Sequence, residues 1–491
     1  MIRLQSIDIK KTKIDTLAIP VCEDLDILDG ILKTLSTQAK KMAEFSGKAG
    51  EEVVLHKPDG VKADRVIFIG LGKLEKIDTE SLRVFAGKAV KTCIQKKLTS
   101  MSLAAPAAKH LNMEAGQILE ALLEGALLGN HRFDKYKNEK KLTPLKRIGV
   151  LTTPGNVKKQ SALVRKVKAV CAGTLQAREW VSTPSNDKRP GAFSRMLVRE
   201  AKKEKLKTRV FTDKDLRTGK YGAILAVGEG SQDKPRLVEL VYAPRGAKQT
   251  IALIGKGVTF DTGGINLKPS GGIEDMKIDM SGAAAVAATL MAVARLKPKV
   301  KVVGVIPIVE NMPSGTATRP GDVIKSYAGK TIEIGNTDAE GRLILIDAME
   351  HALKRFKPDV MVDIATLTGA CMVALGDNIA GVFTQDDDLA NAIVRAGEKT
   401  HERTWRMPLP EDYRELLKSE IADLNNMSSS RYGGAITAAL FLSEFSGKAR
   451  WAHIDIAGPA YVKKGSSYCE AGGTGFGVRL FCEMIEQLET K

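Results

Sequence analysis

The chain lacks any apolar run that suggests a membrane span. Its longest, Ala283 to Ala294, is broken only by Thr289 and is short enough to be a buried helix. Met1 opens onto R-L-Q-S-I-D-I-K, which lacks the apolar core of a signal peptide. Cysteine is scarce. Cys22, Cys93, Cys171, Cys371, Cys469 and Cys482 are scattered and form no C-x-x-C pair, which argues against a disulfide frame or a zinc ribbon and for reduced thiols. The expected location is cytoplasmic, with no membrane partner. Among the six histidines there is no H-E-x-x-H, and no G-x-S-x-G occurs, so neither the helical zinc motif nor the serine elbow is available. The chain also lacks repeats and biased tracts.

What is present is globular. The 491 residues are 43% hydrophobic and 27% charged, long enough for two domains or three. The net charge of +17 is uneven: +7 over residues 1–150, +13 over 151–250 and −3 over 251–491. The excess centres on residues 158–209. A basic stripe there could meet nucleic acid or acidic partners, or could be a solvated surface.

Residues 1–156 read as an N-terminal α/β domain for scaffolding, oligomerisation or regulation. Strands are predicted at Val66–Ile69 and Ile148–Thr152, and helices near Ile31–Glu44, Glu80–Cys93 and Gln117–Leu128. Residues 157–181 hold few breakers and predict one long linker helix, stopped by T-P-S-N-D-K-R-P-G. Residues 182–491 form the second domain, opening with a helix at Ala192–Lys203, a strand at Thr208–Phe211 and a helix start at Asp213–Leu216. Further strands are predicted at Ile224–Val227, Val238–Tyr242, Ile251–Ile254, Val300–Ile308, Thr331–Ile334 and Val360–Ala365. Helices are expected at Ala283–Leu296, Leu343–Phe356 and Leu389–Gly397. Apolar strands separated by helices predict an α/β fold, with mostly parallel or mixed sheets flanked by helices. In such sheets, ligands bind beyond the carboxyl ends of strands.

Two stretches stand at such ends. One is G-K-G-V-T-F-D-T-G-G-I-N-L-K followed by M-K-I-D-M, with Lys256, Asp261, Lys268 and Asp279. The other is N-T-D-A-E-G-R-L at Asn336–Leu343, with Asp338, Glu340 and Arg342. Four carboxylates brought together repel unless cations neutralise them, and hard divalent cations take oxygen ligands, often in pairs. Each residue also has a plainer reading. Asp279 could cap the helix that follows it, Asp261 and Asp338 could serve turns, and Arg342 could pair with Asp347. Lys256, between two glycines after an apolar strand, is out of place as a surface ammonium. Beside metals a buried lysine can lose its proton and coordinate. Lys268 could face a developing oxyanion, and Arg342 could hold a carboxylate or bicarbonate.

These segments resemble the leucyl aminopeptidase family, the cytosol aminopeptidases with two metals. The likeness extends to E-N-M-P-S-G-T-A-T-R-P-G-D-V, D-I-A-T-L-T-G-A, R-Y-G-G-A-I-T-A-A and W-A-H-I-D-I-A-G-P-A, in order, over roughly residues 170–491. Before that it thins, with L-L-E-G-A-L-L-G near Glu124 the clearest echo. The resemblance implies a metallo-exopeptidase that releases N-terminal, preferentially leucine-like residues from peptides. It implies two divalent ions, Mn2+ or Zn2+ with Mg2+ also open, the tighter one on Lys256, Asp261, Asp279 and Glu340. The more exchangeable ion would lie on Asp261, Asp338 and Glu340. Lys268 would bind substrate and its oxyanion, while Arg342 with the backbone at Leu367 would hold a bicarbonate. Met276, Thr366 and Gly369 would line the side-chain pocket, and the assembly would be a homohexamer. Gly335 is a departure, since relatives often carry a larger residue there.

Three features invite other readings. G-G-T-G-F-G at Gly472–Gly477 does not keep the spacing of a dinucleotide loop. Ser185 and Lys188 have serine–lysine spacing but sit in a Pro-rich break, and His453 reads as a core or interface residue. The rival functions are a DNA-binding architectural or regulatory role for the basic half, and a structural relative whose site has lapsed. None of the seven polar site residues is substituted, which disfavours the second.

Overall fold

The computed structural model describes residues 1–489. The chain divides into two compact units, Met1–Cys171 with Lys463–Ala471, and Ala172–Val462 with the segment from Gly472 onward. The division falls inside the helix Ser161–Ser182. The single helix expected over 157–181 is two. A short one, Pro154–Lys159, is started by Thr153, whose hydroxyl accepts from Asn156 N–H at 3.3 Å, and Gln160 leaves helical geometry before Ser161–Ser182 begins. The T-P-G-N run is thus a helix cap rather than only a turn.

The first unit holds a six-stranded sheet built from β1 (Ile2–Gln5), β2 (Ile14–Cys22), β3 (Glu52–His56), β4 (Ala63–Gly72), β5 (Ser100–Ala104) and β6 (Arg147–Leu151). Its order is β1-β6-β5-β2-β4-β3, parallel except for the β3–β4 edge pair. The helices Thr79–Gln95 and Ala115–Gly129 pack together, and buried Arg83 donates from Nε to Glu124 Oε2 at 2.6 Å. Residues 463–471 lie on the first of these helices. Tyr468 donates its hydroxyl to Glu80 at 2.7 Å, and Lys91 Nζ donates to the carbonyls of Ser466 and Cys469.

The second unit is organised by a nine-stranded mixed sheet. Its strands are β7 (Lys207–Phe211), β8 (Arg236–Tyr242), β9 (Thr250–Gly255), β10 (Gly257–Asp261) and β11 (Lys301–Asn311). After the small strands β12 (Val323–Lys325) and β13 (Thr331–Glu333) come β14 (Val360–Ala365), β15 (Ala380–Phe383) and β16 (Thr404–Arg406). β17 (Leu424–Asn425) and β18 (Arg450–Asp455) follow. The path is β16-β15-β18-β14-β9-β11-β8-β7, with β10 beside β11, while β12, β13 and β17 form a separate three-stranded sheet. Five strands, β9, β10, β11, β14 and β18, run parallel, so their carboxyl ends open at one edge. The antiparallel pairs lie outside them, at β7–β8–β11 and β15–β18.

Both faces are covered, as the near-continuous apolar strands require. One face packs on the helices Pro190–Lys203, Ser281–Leu296, Asp387–Thr400 and Val478–Glu489. The apolar stretch Met276–Leu296 is long enough to cross a membrane, but here it is mostly buried core. The other face packs on Gly222–Gly228, Glu340–Phe356 and Gly434–Ser443. Residues 224–227 are therefore helix, not the expected strand. Asp347 Oδ2 accepts the N–H groups of Ala223 and Ile224 at 2.9 and 3.0 Å, which replaces the cap that Tyr221 does not supply. The strand at Thr331 belongs to the small sheet rather than the main one, so Asp338 does not follow a main-sheet strand.

Candidate active site

The open edge of the five parallel strands gathers the chemistry. Lys256 follows β9, Asp261 and Asn311 end β10 and β11, Thr366 follows β14, and Asp455 ends β18. Asp279 closes the turn Met276–Ile278 just before its helix, Asp338 lies in the loop after β13, and Glu340 and Arg342 occupy the first turn of Glu340–Phe356. An acid at a helix N-terminus meets the unpaired N–H groups there favourably.

Lys256 is the hub. Its Nζ lies 2.7 Å from Asp279 Oδ1, 2.7 Å from Glu340 Oε1, and donates to Thr366 O at 2.9 Å. Its stem passes against Gly341, where a Cβ would come within 2.6 Å of Lys256 Cε. The glycine inside the D-A-E-G-R run is what lets the lysine in. Lys268 makes a second bridge, 2.9 Å from Asp261 Oδ2 and 2.5 Å from Asp338 Oδ1. Asp261, Asp338 and Glu340 each offer an oxygen within 4.8 Å of the others. Asp279 stands outside that trio and reaches Glu340 through Lys256.

Burial sets the electrostatics. Lys256, Asp261, Asp279, Glu340 and Arg342 are buried, whereas Asp338 and Lys268 keep some contact with solvent. Desolvation raises the pKa of Asp279, Glu340 and Asp338, and neighbouring acids add to it. For the lysines desolvation pulls down, but the facing acids outweigh it and both are raised. Arg342 is pulled down to about 10 by burial, with Glu340 and Asp455 opposing.

Four carboxylates meet two ammonium groups, so negative charge is left over. Among the described residues, the buried oxygens Asp279 Oδ2 and Glu340 Oε2 of this cluster have no hydrogen-bond partner. Unpaired buried oxygens are costly, and a divalent cation with oxygen ligands satisfies them. The donor set therefore fits a metal site.

The plainer readings fare unequally. Asp279 does not cap the helix Ser281–Leu296, whose N-cap is Met280. Asp261 does serve its turn, accepting from Gly263 N–H at 3.0 Å, and from Asn311 Nδ2 at 2.8 Å. Arg342 donates from Nη1 to Asn426 O at 2.8 Å, while Asp347 is taken by backbone N–H groups. Thr366 belongs to the cluster by two atoms, since its hydroxyl also donates to Asp279 Oδ1 at 2.7 Å. Met276 opens the turn carrying Asp279, and Gly369 starts the helix Gly369–Leu375, with no atom within 4 Å of where its Cβ would be. Leu367 N–H donates to Asp455 Oδ1 at 3.1 Å.

Asn426 and Asp455 were not singled out from the sequence. Both are buried and both act on the loops of the site, yet neither belongs to a charged or periodic pattern. Gly335 is explained by the same neighbourhood, because Asn425 Oδ1 fills the place of a Cβ at 2.4 Å. His453 is core, within 2.5 Å of Asp363. Lys188 is buried against the carbonyls of Trp180 and Val181, and Ser185 donates instead to Thr259 O. The C-terminal glycine run packs on the helix Ser161–Ser182, where a Cβ on Gly473 would lie 2.5 Å from that of Val181.

An acid–lysine cluster at the carboxyl edge of a parallel sheet, with carboxylate oxygens left for cations, marks a metal-binding protein of the α/β class. The family model "Cytosol aminopeptidase family, catalytic domain" matches residues 175–482, and the one for the N-terminal domain matches residues 20–140. A "Probable cytosol aminopeptidase" of Chlorobium limicola is 41% identical over 98% of both chains. Among solved structures, the bottromycin maturation enzyme BotP in complex with Mn aligns at TM-score 0.86 and 36% identity, covering 97% of this chain and 99% of its own. A mutant of tomato leucine aminopeptidase aligns at TM-score 0.87 and 31% identity, covering 99% and 96%. The chain belongs to the cytosol aminopeptidase family and is a metal-dependent aminopeptidase acting on peptides.

Proposed function

We propose that the enzyme removes leucine-like residues from peptide N-termini with two divalent ions, Mn2+ or Zn2+. The observation that carries this is the pair of partnerless buried oxygens, Asp279 Oδ2 and Glu340 Oε2, beside the trio Asp261, Asp338 and Glu340. Asp261, Asp279 and Glu340, with Lys256 once the incoming cation has displaced its proton, would hold the tighter ion, and Asp261, Asp338 and Glu340 the exchangeable one. Bound there, the ions would supply Lewis acidity toward the scissile carbonyl and an activated water. The peptide's free α-amine would coordinate a metal held there, which would confine cleavage to the peptide's end.

Lys268, at 17% side-chain exposure, is the more accessible ammonium and faces charge developing on the carbonyl oxygen. Arg342 holds an anion, bicarbonate in this reading, as proton acceptor. Its Nε is buried and has no hydrogen-bond partner. Because Leu367 N–H is engaged by Asp455, Arg342 carries more of that task. Met276, Thr366 and Gly369 shape the side-chain pocket. The test is hydrolysis of leucyl amide with Mn2+ or Zn2+, before and after chelation. Full activity in metal-stripped protein would sink the two-metal reading, and equal rates on leucyl and glycyl amides would sink the preference.

Three further assignments belong here. A homohexamer is expected from solution mass. A cytoplasmic location fits six cysteines that are all buried. DNA binding is the second reading for the basic half, favoured by the lysines and arginines of the helix Pro190–Lys203 and the edge strand β7. Affinity for duplex DNA that falls steeply with salt would support it, and no binding at low salt would remove it.

A further inference from the structure

We propose that Asn426 is a positioning residue for the catalytic loop, fixing Asp338, Glu340 and Arg342 at once. The proposal rests on the two-metal reading above. Asn426 is fully buried, and every polar group it owns is spent on residues 333–342. Its N–H donates to Glu333 O at 3.0 Å, continuing the β13–β17 pairing one step further. Its side-chain oxygen accepts the N–H groups of Gly335 and Asn336 at 2.8 and 3.2 Å. Its side-chain amide donates to Asn336 O at 2.8 Å and Ala339 O at 3.4 Å. Its carbonyl accepts from Arg342 Nη1 at 2.8 Å.

These contacts are spaced along the loop so that each adjoins a functional residue. Asn336, held at both its N–H and its carbonyl, in turn accepts Asp338 N–H on its side chain at 2.7 Å. Ala339 precedes Glu340, the first residue of the helix. Arg342 is held directly. A carboxamide is required here because the site needs an acceptor and a donor on one planar group. A carboxylate offers no donor and would add negative charge beside acids already crowded together. Residues 334–339 lie outside helix and strand, so without this peg Asp338 would sample positions that do not converge with the other acids.

The segment carrying Asn426 is also attached elsewhere. Asp423 accepts from Thr331 N–H and hydroxyl at 2.7 and 2.8 Å, and returns its N–H to that hydroxyl at 3.0 Å. That attachment provides a control. Thr331→Val loosens the same segment without touching residues 335–342.

The test uses full chains of wild type, Asn426→Ala and Thr331→Val, with three measurements: Mn2+ binding by calorimetry without substrate, kcat and KM on leucyl amide, and melting temperature. Outer contacts of this kind change metal affinity or activity by about 10–100-fold. Asn426→Ala is expected to weaken the weaker Mn2+ site by about that factor and lower kcat similarly, with KM changed by less than about threefold. Thr331→Val is expected to lower the melting temperature and keep both. The proposal is overturned if Asn426→Ala melts lower yet binds Mn2+ and turns over like wild type well below its melting point. It is equally overturned if Thr331→Val loses as much Mn2+ affinity and kcat. Should Asn426→Ala fail to fold, Asn426→Asp, which keeps the acceptor but has no donor, carries the same comparison. A wild type that neither binds Mn2+ nor hydrolyses the amide defeats the two-metal reading itself, whatever Asn426 does.

Discussion

The helix Glu340–Phe356 carries buried polar groups at its start and along its second half, and the two sets balance differently. Along the second half, His351 shares one ring nitrogen with Tyr221 OH at 2.6 Å and the other with Glu239 at 2.7 Å. Glu239 is also met by Arg355 Nε at 2.6 Å, and Asp347 accepts three backbone N–H groups. At the start, Glu340 Oε2, Arg342 Nε and nearby Asp279 Oδ2 have no partner. Both clusters hold charged groups out of water, so burial of charge does not mark the site. What sets the start apart is that charged groups are left incomplete there beside clustered acids, and partnerless buried charge calls for a further ligand.

That contrast can be broken at either end of the helix. The largest effect belongs to the incomplete cluster: Asp338→Ala should abolish turnover while circular dichroism stays native, and retained activity would remove Asp338 from the machinery. Lys268→Ala should keep Mn2+ but lose about 10²–10³-fold in kcat, the usual loss for one oxyanion donor. A normal kcat would refute that role. In the complete cluster the cost should fall on stability. His351→Ala should lose about 2–4 kcal/mol in denaturant melts, from a cavity and two stranded partners, with kcat unchanged. A kcat loss without a stability loss would erase the distinction.

The smallest effect is a pH slope. Burial raises the Asp347 carboxyl from 3.8 to about 7 against its backbone donors. A raised pKa means the folded state holds its proton longer than the unfolded chain does. The favourable contribution is therefore full below about pH 4 and is lost as pH rises through 7. Denaturant midpoints at pH 5 and pH 8 should differ less in Asp347→Asn than in wild type, and equal differences would count against the burial argument.

Much of the catalytic unit was readable because its strands are short apolar runs bounded by glycine or charge, and because its acids and lysines fall just past them. Residues 224–227 misled for a physical reason. Four apolar residues look alike in strand and buried helix, and the deciding cap, Asp347, is more than a hundred positions away. In the first unit Pro20 hides β2, since a proline inside a run argues against a strand, yet Ile14–Cys22 pairs on both sides. Asn426 could not be read at all. One amide in an irregular stretch has no periodicity, and its meaning lies wholly in what it faces.

The excursion of residues 463–471 has a consequence for how the protein can be divided. Chain that has already built most of the second unit leaves it, docks on the helix Thr79–Gln95, and returns for the final helix. No single cut yields two whole pieces. A fragment ending at Cys171 would lack its tenant segment, and one starting at Ala172 would carry nine residues with nothing to rest on. The two units are thus not interchangeable modules in tandem. They are interlaced, and recombination between relatives can exchange one cleanly only by crossing over three times.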